Sequence, residues 1–235
     1  MNTSEPVRIS YFSDVLCVWA YAAQIRLDEL KKEFGDKMEL HYHFIPVFGD
    51  VEHKLEQVWK KKGGVAAFNT HVRSVCEGFP HLALHPQVWL SHTPKSSATG
   101  HLFLKAVQIL EKDGEISAQP EIDFDGRSLF EETIWQTRLA FFRDNRQIAE
   151  REVLLSIAES LGLPLDSIQS LMDNGDAMAQ MCLDAELCKQ HAVEGSPFYI
   201  LNEGRQKLYG NVGYKIIAAN VQEIISRPEA QASWC

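Results

Sequence analysis

One cysteine, set between an apolar strand and an apolar helix, is the residue in this chain best placed to do chemistry. Cys17 lies in Ser13-Asp14-Val15-Leu16-Cys17-Val18-Trp19-Ala20-Tyr21. A thiol at a helix start feels the partial positive charge and unpaired amides of the first turn, and both favour the thiolate, which is the nucleophilic form. Three residues on, where a redox pair carries its second cysteine, the chain has Ala20. The attacking sulfur is present and its resolver is absent. Trp19 and Tyr21 are expected to wall one side of the sulfur. Ser13 and Asp14 precede the turn as a cap or polar neighbours, and an ionised Asp14 close by would oppose the thiolate.

A second constellation is Val193-Glu194-Gly195-Ser196-Pro197-Phe198, with a glycine and a proline immediately before an apolar strand. A cis proline there would leave the preceding N–H and C=O free to hold an extended peptide as an added strand, with Ser196 and Pro197 as the clamp. A trans proline that merely opens the strand is the alternative, since only about one X-Pro bond in twenty is cis in folded proteins. His41 and His43 alternate on one strand face, with no nearby carboxylate or cysteine to complete a metal set, so a solvated face is expected and no metal is assigned. His81, His85 and His92 punctuate the loop from Pro80 to Pro94, read as a connection that could also overhang Cys17 and supply a base. Cys76, Cys182 and Cys188 fall at helical spacing and are expected to pack in the core. Cys235, beside Trp234, is read as part of a loose tail, although it could stand in for the missing resolver.

These residues need elements to hold them. Val7 to Phe12 alternates as a strand, Trp19 to Phe34 has helical periodicity ended by Gly35, and Met38 to Ile45 is the next strand. From about residue 54 to 191 strand signals vanish, and helical segments follow: Lys54 to Lys62, Val65 to Phe79, Pro94 to Leu110, Ser128 to Asn145, Glu150 to Leu161, Leu165 to Met172 and Asp176 to His191. Phe198 to Leu201 and Gln206 to Tyr209 then read as strands, and Tyr214 to Ile225 as a final helix. That order predicts a split α/β sheet carrying a helical insertion, with a site where a strand end feeds a helix start.

Composition bounds the function. The chain has 235 residues, 45% hydrophobic and 23% charged, enough for a sizeable core. A net charge of −9 argues against a nucleic-acid partner, which would need basic surface. Met1 to Pro6 is short and polar, and no stretch approaches the roughly 18 apolar residues of a membrane span. The five cysteines are odd in number and scattered, as expected of reduced thiols. A cytoplasmic protein with no membrane partner is the expectation.

Three separated stretches carry a resemblance. Asp14-Val15-Leu16-Cys17-Val18-Trp19-Ala20-Tyr21 resembles the D-x-x-C-P-W-C-Y region of cytoplasmic DsbA-like thioredoxin-fold oxidoreductases, and Gly195-Ser196-Pro197-Phe198 resembles their cis-proline loop. Leu139 to Ala149, followed by Val153-Leu154-Leu155 and Leu161-Gly162-Leu163, is similar to their helical insertion. The resemblance implies an α/β thioredoxin-like fold with a large inserted α-helical domain: residues 1–50 and 190–235 would form the split thioredoxin-like domain and 51–189 the insertion. It also brings in the kappa-class glutathione transferases and 2-hydroxychromene-2-carboxylate isomerases, which place a serine where this chain has Cys17.

Two departures from the pattern, Val18 for proline and Ala20 for cysteine, bear on the chemistry. What remains is a monothiol cycle in which Cys17 attacks a disulfide and an external thiol such as glutathione, a cosubstrate rather than a tightly bound cofactor, resolves the product. The alternatives are a glutathione-dependent isomerase or transferase, and a peptide-binding protein without turnover. Transferase and isomerase members are implied to hold the γ-glutamyl end with an Asp-Arg pair at the last helix. Tyr209-Gly210-Asn211-Val212-Gly213-Tyr214 lacks both charges, leaving Asn211 and free amides as the anion contact. The expected partner is a small thiol or a disulfide-containing peptide or protein, and a homodimer stays open.

Overall fold

The computed structural model describes residues 5–228. Cys235 and Trp234 lie outside the described residues. The chain opens with β1 (Val7–Ser13), whose alternating burial at its start and full burial at its end carry it from the protein rim into the interior. It turns through Asp14–Leu16 into α1 (Val18–Phe34), which ends at Gly35 with φ +50°, a conformation that suits glycine. β2 (Met38–Phe44) returns parallel to β1, pairing Val7 with Met38 through Ser13 with Phe44.

Seven helices then intervene before the sheet resumes: α2 (Val51–Trp59), α3 (Gly64–Glu77), α4 (Ala98–Lys112), α5 (Leu129–Phe142), α6 (Arg151–Ser160), α7 (Leu165–Asp173) and α8 (Asp176–His191). β3 (Phe198–Leu201) and β4 (Gln206–Tyr209) complete a four-stranded sheet in the order β2-β1-β3-β4, and α9 (Tyr214–Ser226) closes the described chain. β3 runs antiparallel to both β1 and β4. Among the described residues no helix is long and apolar enough to cross a membrane.

The sheet buries both faces. Ile9, Tyr11, Tyr42, Tyr199 and Leu201 join one core with Leu27 and Leu30 of α1, Ile217 and Val221 of α9, and Phe103 and Phe130 of the inserted helices. The opposite face, Phe12, Phe198 and Ile200 with Ile45, packs against Leu187, Cys188 and Val193. α5 is buried nearly all round, as a helix with apolar residues on every side must be. Its start is set by a capping box in which Ser128 accepts from the Glu131 amide and Glu131 from the Ser128 amide.

Three sequence expectations are corrected here. Pro94 does not open a helix: Lys95 and Ser97 are spent on the loop after β2, accepting from Val51 N–H and donating to the Phe48 carbonyl, so α4 starts at Ala98. His43 is not on a solvated face, since its ring stacks on Phe12 and its Nδ1 lies 2.8 Å from buried Asp184 of α8. Cys182 is exposed and Cys188 half-buried, because α8 turns only a narrow stripe inward. Among the described residues no three His, Cys, Asp or Glu side chains form a metal-binding group.

Asp184 fastens the insertion to the sheet. Its carboxylate accepts from the Phe44 amide at 2.7 Å and pairs with Lys105 at 2.6 Å, so one side chain joins α8, β2 and α4. Burial pulls the Lys105 ammonium below its ordinary value, and Asp184 partly offsets this. Asp184→Ala leaves that cation buried alone and should cost about 3–5 kcal/mol, read from urea unfolding midpoints. A change within error would show that the pair does not hold the two parts together.

Burial pushes the Tyr11 and Tyr21 hydroxyls up to about 12, against about 10 in an unfolded chain. Stability is therefore undiminished by these groups below about pH 10 and falls as pH rises through their folded values. Tyrosinate absorbance should appear together with loss of the helical circular-dichroism signal in an alkaline titration. Ionisation of every tyrosine near pH 10 in a folded protein would contradict the packing.

Candidate active site at Cys17

Cys17 is the N-cap of α1, with φ −81° and ψ 116°, and the Tyr21 amide bonds its carbonyl to close the first turn. The sulfur lies against the segment before β3. Cys17 Sγ–H donates to the Ser196 carbonyl at 3.2 Å, and the Asp14 amide donates to Ser196 Oγ at 2.9 Å. The Ser196–Pro197 bond is cis. Cys17, Ser196 and Pro197, which are nearly 180 residues apart in sequence, thus form one site.

Asp14 is the hub beneath it. Its Oδ1 accepts from the Leu16 amide at 2.8 Å, while Oδ2 accepts from the Phe48 amide and from Ser97 Oγ, each at 2.8 Å. The turn is braced from α4 by His101, whose Nε2 accepts from the Val15 amide at 3.1 Å and which stacks on Phe44. His101 Nδ1 is buried without a partner. Gly100 permits this approach: a Cβ there would stand 3.3 Å from Val15 Cγ1.

The electrostatics differ from the expectation for a helix-start thiol. Cys17 is 6% exposed. Burial pushes its thiol above the ordinary value; the Ser196 hydroxyl and the amides of Ala20 and Trp19 favour the thiolate, and the Asp14 charge opposes it. Desolvation outweighs the helix start because the sulfur has been withdrawn from water while its nearest charge is negative.

Other predicted positions resolve as follows. Trp19 is half-buried and meets Phe79 edge-on at 6.3 Å. Tyr21 is fully buried, stacked on Phe142 at 4.7 Å with its hydroxyl donating to the Ala83 carbonyl, so it belongs to the α1–α5 core rather than to a wall of the sulfur. Ala20 is fully buried. Asn211 is exposed, one residue beyond Gly210, whose amide donates to the Pro197 carbonyl at 2.9 Å. His85 lies in the connecting loop, its amide bonded to the Phe142 carbonyl.

Sequence reasoning missed His101, Ser97 and Tyr209. His101 and Ser97 carry no local signal, since a lone histidine or serine in an apolar helix reads as core or cap. Tyr209 packs over Gly195, where a Cβ would come within 2.7 Å of its hydroxyl, and the glycine before Ser-Pro was its only trace.

Asp14→Asn removes the opposing charge but keeps one acceptor oxygen for three donors. Cys17 alkylation below its midpoint should speed up, while unfolding becomes easier by about 1–3 kcal/mol. An unchanged alkylation profile would mean that Asp14 does not act on the sulfur.

No family model matches the chain, and no curated protein matches it. Solved structures do. The cytosolic disulfide reductase DsbM from Pseudomonas aeruginosa superposes with TM-score 0.63 at 18% identity, covering 92% of this chain and 98% of the reductase. A second structure of that reductase is a complex with GSH. A 2-hydroxychromene-2-carboxylate isomerase superposes with TM-score 0.64 at 12% identity, covering 96% of this chain and all (100%) of the isomerase. The thiol-disulfide exchange protein α-DsbA2 from Wolbachia pipientis gives TM-score 0.53 at 13% identity, over 95% and 84% of the two chains. The α/β sheet with seven helices between β2 and β3 is therefore the thioredoxin-like fold with a helical insertion that these DsbA-like proteins share.

Proposed function

We propose that the protein is a thiol-disulfide oxidoreductase that works through Cys17 alone. The observation that carries the reading is the meeting of the Cys17 sulfur with the Ser196–Pro197 segment at the start of α1. Substrate disulfide RS–SR′ would lie along Ser196 and Pro197. Deprotonated Cys17 attacks one sulfur, the Cys17 S–SR bond forms, and R′S⁻ leaves and takes a proton. An external thiolate, such as that of glutathione, then attacks the R sulfur and releases Cys17. Ala20 offers no sulfur for the internal step, so the second thiol comes from outside. Asn211 would be an anion contact for a carboxylate of that thiol. The reading implies a reducing compartment, the cytoplasm, and the four free cysteines among the described residues are consistent with it. Its partners would be a small thiol and a disulfide-bearing peptide or protein.

Incubation with oxidised glutathione should add one glutathione to the intact mass, located at Cys17 and absent from Cys17→Ala. A protein that gains no adduct even at alkaline pH, where the burial-raised thiol ionises, is not this enzyme. Ala20→Cys should restore an internal resolver: residues one helical turn apart are within disulfide reach, and turnover should lose its dependence on added glutathione.

One observation favours a second reading, a glutathione-dependent isomerase or transferase. The Cys17 S–H stands as a hydrogen-bond donor, to the Ser196 carbonyl at 3.2 Å, and the same donor can serve a bound glutathione thiolate without forming a disulfide. In that case reduced glutathione should bind Cys17→Ser, whose hydroxyl keeps the donor, with affinity close to that of the unaltered protein.

A further inference from the structure

The sheet edge at β2 is closed at one end and open at the other. β2 is an outermost strand, and its backbone groups point alternately toward β1 and away from it. Ile45 N–H, just past the strand, donates to the Ser13 carbonyl of β1, so the odd-numbered residues turn toward β1 and the even-numbered ones turn outward. Some of the outward groups are taken. Met38 N–H donates to the Gly35 carbonyl, the Tyr42 carbonyl accepts from Gln108 Nε2 at 3.1 Å, and Phe44 N–H donates to Asp184 Oδ2 at 2.7 Å. The Met38 carbonyl, both backbone groups of Leu40 and the Tyr42 N–H also point outward, and among the described residues no partner bonds them.

This stretch borders a cleft of about 910 Å³ between β2, α4, α8 and the end of α1. Ligand pockets span roughly 300–1,000 Å³. None of the residues lining the cleft belongs to the Cys17 site. Leu40, Ile109, Leu183 and Leu187 give it apolar walls, and Leu183 is 49% exposed. Its charge is unbalanced, with seven carboxylates lining it against four lysines. Lys31 is committed to Glu131 and the Gly126 carbonyl, and Lys105 to Asp184. Half-buried Glu111 of α4 is left with a neutral donor, Ser128 Oγ at 2.6 Å, and among the described residues no cation pairs with it. Burial and the neighbouring Glu131 charge push its carboxyl above the ordinary value.

We propose that this cleft takes an extended peptide segment carrying a lysine or arginine, which adds to β2 as a fifth strand. An uncovered strand edge is a template for pairing, and here it supplies donors and acceptors at alternate residues. The backbone of the segment pairs with Met38, Leu40 and Tyr42. Side chains opposite Leu40 and Tyr42 share their face of the sheet, where Tyr42 Oη donates to Glu131 and Ser128 Oγ to Glu111, and the basic residue sits there as the missing cation of Glu111. The residues on either side of it turn to the opposite face, where Leu187 packs with Phe12 and Ile45, and are apolar. The proposal holds whether or not Cys17 exchanges disulfides.

Fluorescence anisotropy of the intact protein with a labelled peptide of alternating valine and lysine, and with its valine–glutamate counterpart, tests this. The lysine peptide should bind and the glutamate peptide should not. Glu111→Gln, which keeps an acceptor for Ser128, should weaken binding about tenfold, and methylation of the peptide's backbone amides should weaken it at least as much. Hydrogen exchange at the Leu40 and Tyr42 amides should slow on binding. If Glu111→Gln does not fold, the methylated peptide and the exchange pattern decide the matter on the unaltered protein. No binding at about 1 mM peptide, or equal binding of the two peptides, overturns the proposal. Protection around Phe198 with none at Leu40 also overturns it, since the peptide would then lie along Ser196 and Pro197. A concentration-dependent dimer that Glu111→Gln dissociates would assign the cleft to a second copy of the chain and overturn the peptide as its occupant.

Discussion

The buried carboxylate of Asp14 is the constraint on which the rest of the site depends. It binds an amide of its own turn, an amide of the loop after β2 and a hydroxyl at the start of α4, while its backbone amide holds Ser196. Four segments that would otherwise meet only through apolar packing are joined at one residue. Apolar contacts are non-directional and tolerate shifts of a fraction of an ångström, whereas four hydrogen bonds at one residue, three of them to its carboxylate, do not. The Cys17 sulfur sits three residues beyond this point and inherits its placement from it.

That anchoring has an electrostatic consequence. The same burial that aligns the Cys17 thiol with the Ser196 carbonyl removes water from around it, and the anchoring group is itself negative. Helix-start amides and the Ser196 hydroxyl act in the opposite direction. Ionisation of the Cys17 thiol is therefore a balance between desolvation and local dipoles, and not a property of its position at a helix start alone. The inserted helices help to hold this segment in place. His101 of α4 and Ser97 just before it brace the turn that leads to Cys17, and Arg138 of α5 donates to Ser13 at the end of β1, so the insertion packs beneath that turn.

The strand and helix order was legible before any coordinates. Val7 to Phe12 and Phe198 to Leu201 show strand patterns, and Leu165 to His191 divides into helices at Asn174-Gly175, because local periodicity and turn residues are sufficient there. Cys17 and the Ser196–Pro197 segment were legible for the same reason: each is a short motif at an element boundary. Pro94 misled, because the residues that follow it, Lys95 and Ser97, are bonded to Val51 and Phe48, and the helix begins only at Ala98. Tyr21 misled as well. An aromatic four residues after Cys17 could wall the sulfur or fill the core, and only the position of α5 decides between them.

By itself, the sequence determined the split α/β order, the presence of one sulfur at a strand-to-helix junction and the absence of a second at Ala20. The tertiary structure alone decided what surrounds that sulfur. Asp14 meets Phe48 and Ser97 across 34 and 83 residues, and Arg138 meets Ser13 across 125. Local patterns reflect backbone periodicity, which is written within a few neighbouring residues. The ionisation of a buried group depends on every charge and dipole within several ångströms, and those are brought together only when the chain closes on itself.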